Sequence, residues 1–287
     1  MVQPSTSRGD RAGPVALALG AGGTKGWAHV GVIKVLHEAG VPIDLVVGAS
    51  AGALIGPLYA ATGDAAAMER IAFSFTPLEF TEWFLRGLRI APDGGHMGRR
   101  LWQAYGRLSF EEMKVPLAAV AHDLTTGERL VLRQGSVARA VEASIRPPIW
   151  GLPTWLDGRP LVDGGLQSAV PADVALQLGA AMVIAVNVGE LYRLPPRLRP
   201  LSARWGRALR EGAARPEGLP SQIGFMLELI AREKVPGPRP QVEIRPDMRY
   251  ISAFSPWSIR EAARRGEAAA RKALPAIRRA LTALWTP

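Results

Sequence analysis

The sequence predicts an α/β fold: a three-layer α/β/α sandwich in which helices cover both faces of a mostly parallel central sheet. Short apolar runs recur at 15–19, 43–47, 117–121, 130–132, 160–162 and 182–188, each of a length that fits a buried strand. Helical patterns fall between several of them, at 27–39, 52–61, 136–144 and 171–178. Glycine-dense turns punctuate two of the strand-to-helix changes, as expected when strands and covering helices alternate.

The first run, "VALAL", leads through "GAGGTKG" into the first helical pattern. Glycine lets backbone amides approach a ligand closely, and a helix start favours negative charge. Two nucleotide motifs fail on residue identity. A dinucleotide fingerprint counted from Gly20 needs glycine where Lys25 stands, and a phosphate loop needs Gly-Lys-Ser/Thr, whereas Lys25 lies between Thr24 and Gly26. What remains is a run of free amides, from Gly22, Gly23 and Thr24, at a helix start.

The second run enters Gly48-Ala49-Ser50-Ala51-Gly52 and then a small-residue helix, the strand-turn-helix context of a nucleophile elbow. Gly48 and Gly52 permit the tight turn, and Ser50 is presented at the helix N-terminus. Residues 65–105 read as a broken helical region, either a mobile cover over a site or ordinary surface packing. Further on, "GRPLVDGG" places Asp163 just after an apolar strand and before Gly164 and Gly165, which let the chain turn sharply and the Asp163 side chain stand free. Alone this is an Asp-Gly turn. Beside Ser50 and the amide loop it completes a set of nucleophile, base and oxyanion donors.

A histidine base is hard to place. The α/β-hydrolase order runs Ser, acid, His, yet the four histidines, His29, His37, His96 and His122, leave none after residue 122. Only His96 or His122, with an acid such as Asp93, offers a triad; otherwise the base is a carboxylate.

The remaining chain holds a proline- and arginine-rich loop at 191–220, a helix at 221–232, a strand at 241–244 and a long helix at 258–283. We read a flexible tail at 1–13 and a single domain at 14–287, whose basic helical part at 221–287 packs on the core. Residues 1–190 hold 16 basic and 17 acidic side chains, whereas the rest hold 19 and 8, so the last third carries the whole +10 excess. Such a balance suits an anionic membrane surface, reached by contact that weakens as salt rises, or simply a solvated arginine-rich face. No nucleic-acid-binding module is recognisable. Absence of cysteine excludes disulfides and thiolate metal sites. Neither a secretory signal nor a membrane span is expected, and a cytoplasmic address, peripheral at the inner membrane face, fits.

The glycine loop Gly22-Gly23-Thr24-Lys25-Gly26, the elbow Gly48-Ala49-Ser50-Ala51-Gly52 and Asp163-Gly164-Gly165, in this order, resemble the bacterial patatin-like phospholipases. Similarity extends over about residues 14–190. The resemblance implies a patatin-like domain and a serine acyl hydrolase with a Ser50-Asp163 dyad, acting without cofactor or metal on lipid esters such as phospholipid or lysophospholipid. It also implies an oxyanion hole at Gly22, Gly23, Thr24 and Lys25, the lysine adding positive potential. Aspartate, with a reference pKa of about 3.9, is a weak base for serine, so the reading requires its burial. Ala21 stands where the family usually has glycine, still offering its amide, and Lys25 stands where arginine is common. "ASIRPPIWGLP" departs further, at Arg146, Pro147 and Ile149, which bears on the shape of the acyl pocket. The competing reading is a lipid-binding protein that keeps the fold without catalysis.

Overall fold

The computed structural model describes residues 12–147, 153–189 and 239–284. Its strands are β1 (Val15–Leu19), β2 (Leu45–Ala49), β3 (Leu117–Asp123), β4 (Arg129–Leu132), β5 (Thr154–Leu156), β6 (Arg159–Asp163), β7 (Met182–Val186) and β8 (Val242–Ile244). They form one sheet in the order β5-β6-β3-β2-β1-β7-β8, with β4 beside β3. Pairing is parallel from β3 through β2, β1 and β7 to β8. It is antiparallel where β4, β5 and β6 attach. The helices are α1 (Ala28–Glu38), α2 (Ala51–Ala60), α3 (Ala65–Ala72), α4 (Pro77–Leu85), α5 (Gly95–Leu101), α6 (Val137–Ser144), α7 (Ala172–Gln177) and α8 (Ile259–Ala283).

Alternate strand residues feed two cores. Leu17, Leu19, Val46, Leu117, Ile184 and Val186 pack with α1, α2 and α8 on one face. Ala16, Ala18, Val47, Ala49, Val120 and Val183 meet Val174 and Ala175 of α7 on the other. The first face carries larger side chains, each contributing about 2 kcal/mol when fully buried. The second is built mostly of alanine and valine, which lets the short α7 lie close.

Strand β5 is absent from the apolar runs because its three residues, "TWL", open on a polar threonine and leave only two apolar residues together. The signal was in its turn. Asp157 and Gly158 both take positive φ, 51° and 75°, as a two-residue hairpin with the twist of its strands demands. β2 ends two residues later than the apolar run, carrying the chain to Ser50. The loop expected at 191–220, the helix at 221–232 and nearly all of the expected tail lie outside the described residues. Among the described residues no helix is long and apolar enough to cross a membrane.

Helix α8 packs along α1 through two glycines. A Cβ on Gly31 would lie 2.0 Å from the Ala263 carbonyl oxygen, and one on Gly266 would lie 2.1 Å from that of Ala28. Backbone meets backbone there, and no flexible side chain can yield. Gly266→Val is therefore expected to destabilise the protein by about 2–3 kcal/mol, read as a lower denaturant midpoint, whereas the same change at exposed Ala268 should alter it little.

Candidate active site

A strand has two edges, and β3 shows how it uses them. Residues 119 and 120 pair with both β2 and β4, and residues 121 and 122 pair with both β4 and β6. Hence β2 and β6 share the edge opposite β4, end to end. Ala49 lies across from Val120 and Asp163 across from Ala121, so the C-terminal ends of two oppositely running strands meet. Ser50 follows Ala49 directly, and its Oγ donates to Asp163 Oδ2 at 2.7 Å.

Both groups are tightly held. Ser50 adopts φ 52° and ψ −118°, a sparsely populated conformation for a residue with a side chain, costing about 1–3 kcal/mol. Its amide donates to Ser144 Oγ at 3.0 Å, and its carbonyl accepts from Leu54 in the first turn of α2. The close turn leaves no room at either flank: a Cβ on Gly48 would lie 2.5 Å from the amide of Ala53, and one on Gly52 would lie 2.1 Å from the Leu19 carbonyl. Asp163 is 1 % exposed, and its Oδ1 accepts from the Gly165 amide at 2.7 Å. Gly164 lies so close to β3 that its Cβ would sit 2.0 Å from the Val120 carbonyl.

The predicted amide loop divides. Thr24 donates its amide to Ala253 at 2.9 Å and its hydroxyl to Ser252 at 3.0 Å, and Lys25 donates its amide to the Gly22 carbonyl at 3.2 Å. These amides are spent within the protein, so in this conformation the Thr24 amide, expected to be free, has an acceptor, and Lys25 is left its charge. The Ala21 amide is spent likewise, on Ala169 at 2.7 Å. Among the described residues no acceptor engages the amides of Gly22 and Gly23. Gly23 borders the cavity that holds Ser50, and its φ of 56° turns the backbone beneath Ala253.

That cavity has a volume of ≈ 640 Å³ and is bordered by Ser50, Asp163, Leu54, Phe80, Phe84 and Phe254, among others. Trp27 secures its wall: the indole N–H donates to Ala72, and the ring meets Phe75 and Phe80 edge-on. Helix α4 starts at a capping box in which Thr76 and Glu79 satisfy each other's backbone amides, with Pro77 at the first helical position. Ile145 and Pro147 also border the cavity, whereas the Arg146 side chain bonds to the Gly87 carbonyl and Thr154. Its carbonyl accepts from the Asp163 amide at 2.9 Å. Ile149 lies outside the described residues.

Among the described residues no histidine bonds to Ser50 Oγ. His96 is exposed and faces Glu82 at 3.4 Å, and Asp93 pairs with Arg89. Buried His122 uses Nδ1 to donate to the backbone carbonyl of Asp163, and buried His29 donates from Nε2 to Gly20, where the glycine loop leaves β1. Sequence reasoning missed Ser144, whose hydroxyl accepts from Ser50 and donates to Val120 at 2.6 Å. Its only local signal is a polar residue ending the apolar face of α6.

A family model described as patatin-like phospholipase matches residues 17–176. Neuropathy target esterase sws of Drosophila melanogaster is 33% identical over 187 residues, covering 61% of this chain and 13% of that protein. Human patatin-like phospholipase domain-containing protein 6 is 35% identical over 194 residues, again covering 61% and 13%. An uncharacterized NTE family protein of Mycobacterium tuberculosis is 35% identical over 194 residues, covering 66% of this chain and 53% of that one. The chain thus matches about an eighth of the length of the two animal relatives and about half that of the bacterial one. VipD from Legionella pneumophila is similar in fold, with a TM-score of 0.53 at 15% identity, over 93% of this chain and 67% of that one.

Burial lowers the pKa of both His29 and His122 from 6.5 to about 4, against the opposing pull of the carbonyls they bond. The unfolded chain takes up these protons near pH 6.5 and the folded chain only near 4. Stability is therefore whole above pH 6.5 and declines as pH falls toward 4, by up to about 3 kcal/mol per histidine. Thermal unfolding followed from pH 7 to 4.5 should show this fall, with a shallower slope in His122→Asn.

Proposed function

The chain belongs to the patatin-like phospholipase family, and on that premise we propose that it hydrolyses carboxylic esters of lipids, phospholipid or lysophospholipid, through a Ser50-Asp163 dyad. The observation that carries this reading is the 2.7 Å hydrogen bond from Ser50 Oγ to Asp163 Oδ2 on the border of an apolar cavity.

Ser50 Oγ attacks the ester carbonyl while Asp163 Oδ2 takes its proton. The carbonyl oxygen gains negative charge. The amides of Gly22 and Gly23 are the donors best suited to it, joined by the Ala51 amide at the start of α2, whose helix dipole also favours the anion. One such donor contributes about 3 kcal/mol to the transition state. Collapse of the tetrahedral adduct breaks the ester C–O bond, and Asp163 returns the proton to the departing alkoxide. The acyl chain, now esterified to Ser50, lies among Trp27, Leu54, Phe80 and Leu88. Asp163 then takes a proton from water, hydroxide adds to the acyl carbonyl, and Ser50 leaves with that proton as the fatty acid is released.

The Oδ1 bond to Gly165 favours this division of labour, because it orients the carboxylate with Oδ2 toward Ser50. Ser144 acts as a positioning residue, holding the strained elbow through the Ser50 amide.

In a panel of lipid esters, Ser50→Ala and Asp163→Asn should each lower kcat by at least about 10³-fold while leaving thermal unfolding nearly unchanged. A fluorophosphonate probe should label wild type and not Ser50→Ala. Turnover retained by purified Ser50→Ala, or a labelled residue other than Ser50, rejects the assignment. Ser144→Ala should lower kcat about tenfold with little change in KM, because it loosens the nucleophile and leaves the cavity intact.

A further inference from the structure

Large apolar side chains stand exposed around the mouth of the cavity. On α4, Leu78, Thr81 and Leu85 recur at i, i+3 and i+7 and so share one helix face, and Thr81 borders the cavity. Leu78 and Leu85 are 77% and 79% exposed. Facing α4 is the segment from Ala253 to Ser258, whose last three residues pack against that helix and which carries Phe254, 59% exposed, and Trp257, 76% exposed. Phe254 thus borders the cavity itself, and Leu78, Leu85 and Trp257 stand exposed on the elements whose other residues border it. Scattered apolar residues on a surface need no explanation, but a cluster flanking the mouth of an apolar cavity marks a binding face.

The charges around this rim do not oppose an apolar partner. Glu79 is engaged in the capping box of α4, and Glu82 is paired with Arg86 and His96. Arg260, one helical turn beyond Trp257, is exposed and stacks over Phe73 with its guanidinium 4.9 Å from the ring centre. A tryptophan beside an arginine is the pairing that suits the boundary between acyl chains and phosphate headgroups.

We propose that Leu78, Leu85, Phe254 and Trp257 form the face by which the protein seats on a phospholipid membrane, inserting around the cavity mouth so that an acyl chain passes from bilayer to cavity without crossing water. This deepens the lipid-ester reading and rests on it. Continuity with the cavity favours a bilayer over a protein partner, because the apolar rim and apolar interior then form one unbroken path. Attachment here depends on apolar insertion and so persists at high salt, unlike attachment through the basic last third of the chain.

The test is co-flotation of the full chain with phosphatidylcholine vesicles at low and high salt, beside hydrolysis of a short-chain ester that is soluble as a monomer. Ser50→Ala should float like wild type at both salt levels, which separates seating from catalysis. The triple variant Leu78→Gln, Leu85→Gln, Trp257→Gln, which spares every residue bordering the cavity, should float at least about tenfold less and keep soluble-ester turnover within about twofold. Three results would overturn the proposal: unchanged flotation of the triple variant, wild-type flotation abolished by salt, or a parallel loss of soluble-ester turnover. A triple variant that floats like wild type but sediments as a smaller species would instead assign the rim to a second copy of the chain. Turnover retained by Ser50→Ala would refute the dyad and leave the flotation result standing on its own.

Discussion

One edge of β3 is occupied twice, first by β2 running with it and then by β6 running against it. Neither strand can lengthen past the junction without displacing the other, so each terminates where its neighbour ends. The last residue of one is Asp163, and the residue just beyond the other is Ser50. Two residues 113 positions apart in sequence are thereby brought to hydrogen-bonding distance by backbone pairing alone. The antiparallel attachment of β6 to β3, beside the parallel β2, is what makes this possible, since a parallel β6 would present its opposite end.

The elbow needs this rigidity. Ser50 pays a conformational penalty that only surrounding structure can offset, and Ser144 joins the elbow amide to the Val120 carbonyl of β3. The Ser144 carbonyl accepts from Gly164 in addition, so one residue at the end of α6 ties together the elbow, the central strand and the turn after Asp163. Arg146, two residues on, links the same corner to the segment after α4 through Gly87. The cavity wall and the polar pair therefore share supports, and the small residues around them allow backbones to approach closely.

Much of this was legible because the signals are local. Apolar runs located the sheet, and flanking glycines singled out Ser50 and Asp163 by turn chemistry that acts over a few residues. What local pattern could not reveal was who accepts from whom across the chain. The amides of Ala21 and Thr24 look alike in sequence to those of Gly22 and Gly23, but their acceptors, Ala169 and Ala253, are remote. His29 carries no hint that it will grip Gly20, and Ser144 none that it will hold Ser50, because in each case the partner arrives through tertiary packing. β5 opens on a threonine and so does not register as an apolar run, though Asp157-Gly158 marked its hairpin.

The tie between Thr24 and the segment at 252–253 joins residues 228 positions apart. A nascent chain leaves the ribosome N-terminus first, so β1, the elbow and Asp163 are all synthesised long before the residues that brace the glycine loop. The stretch that the family model matches stops at residue 176, well short of them. A ribosome-bound intermediate can therefore possess both Ser50 and Asp163 while its loop still lacks this brace. Completion of the loop waits until residues 252–253 have emerged, separating the moment when Ser50 and Asp163 exist from the moment when their surroundings are complete.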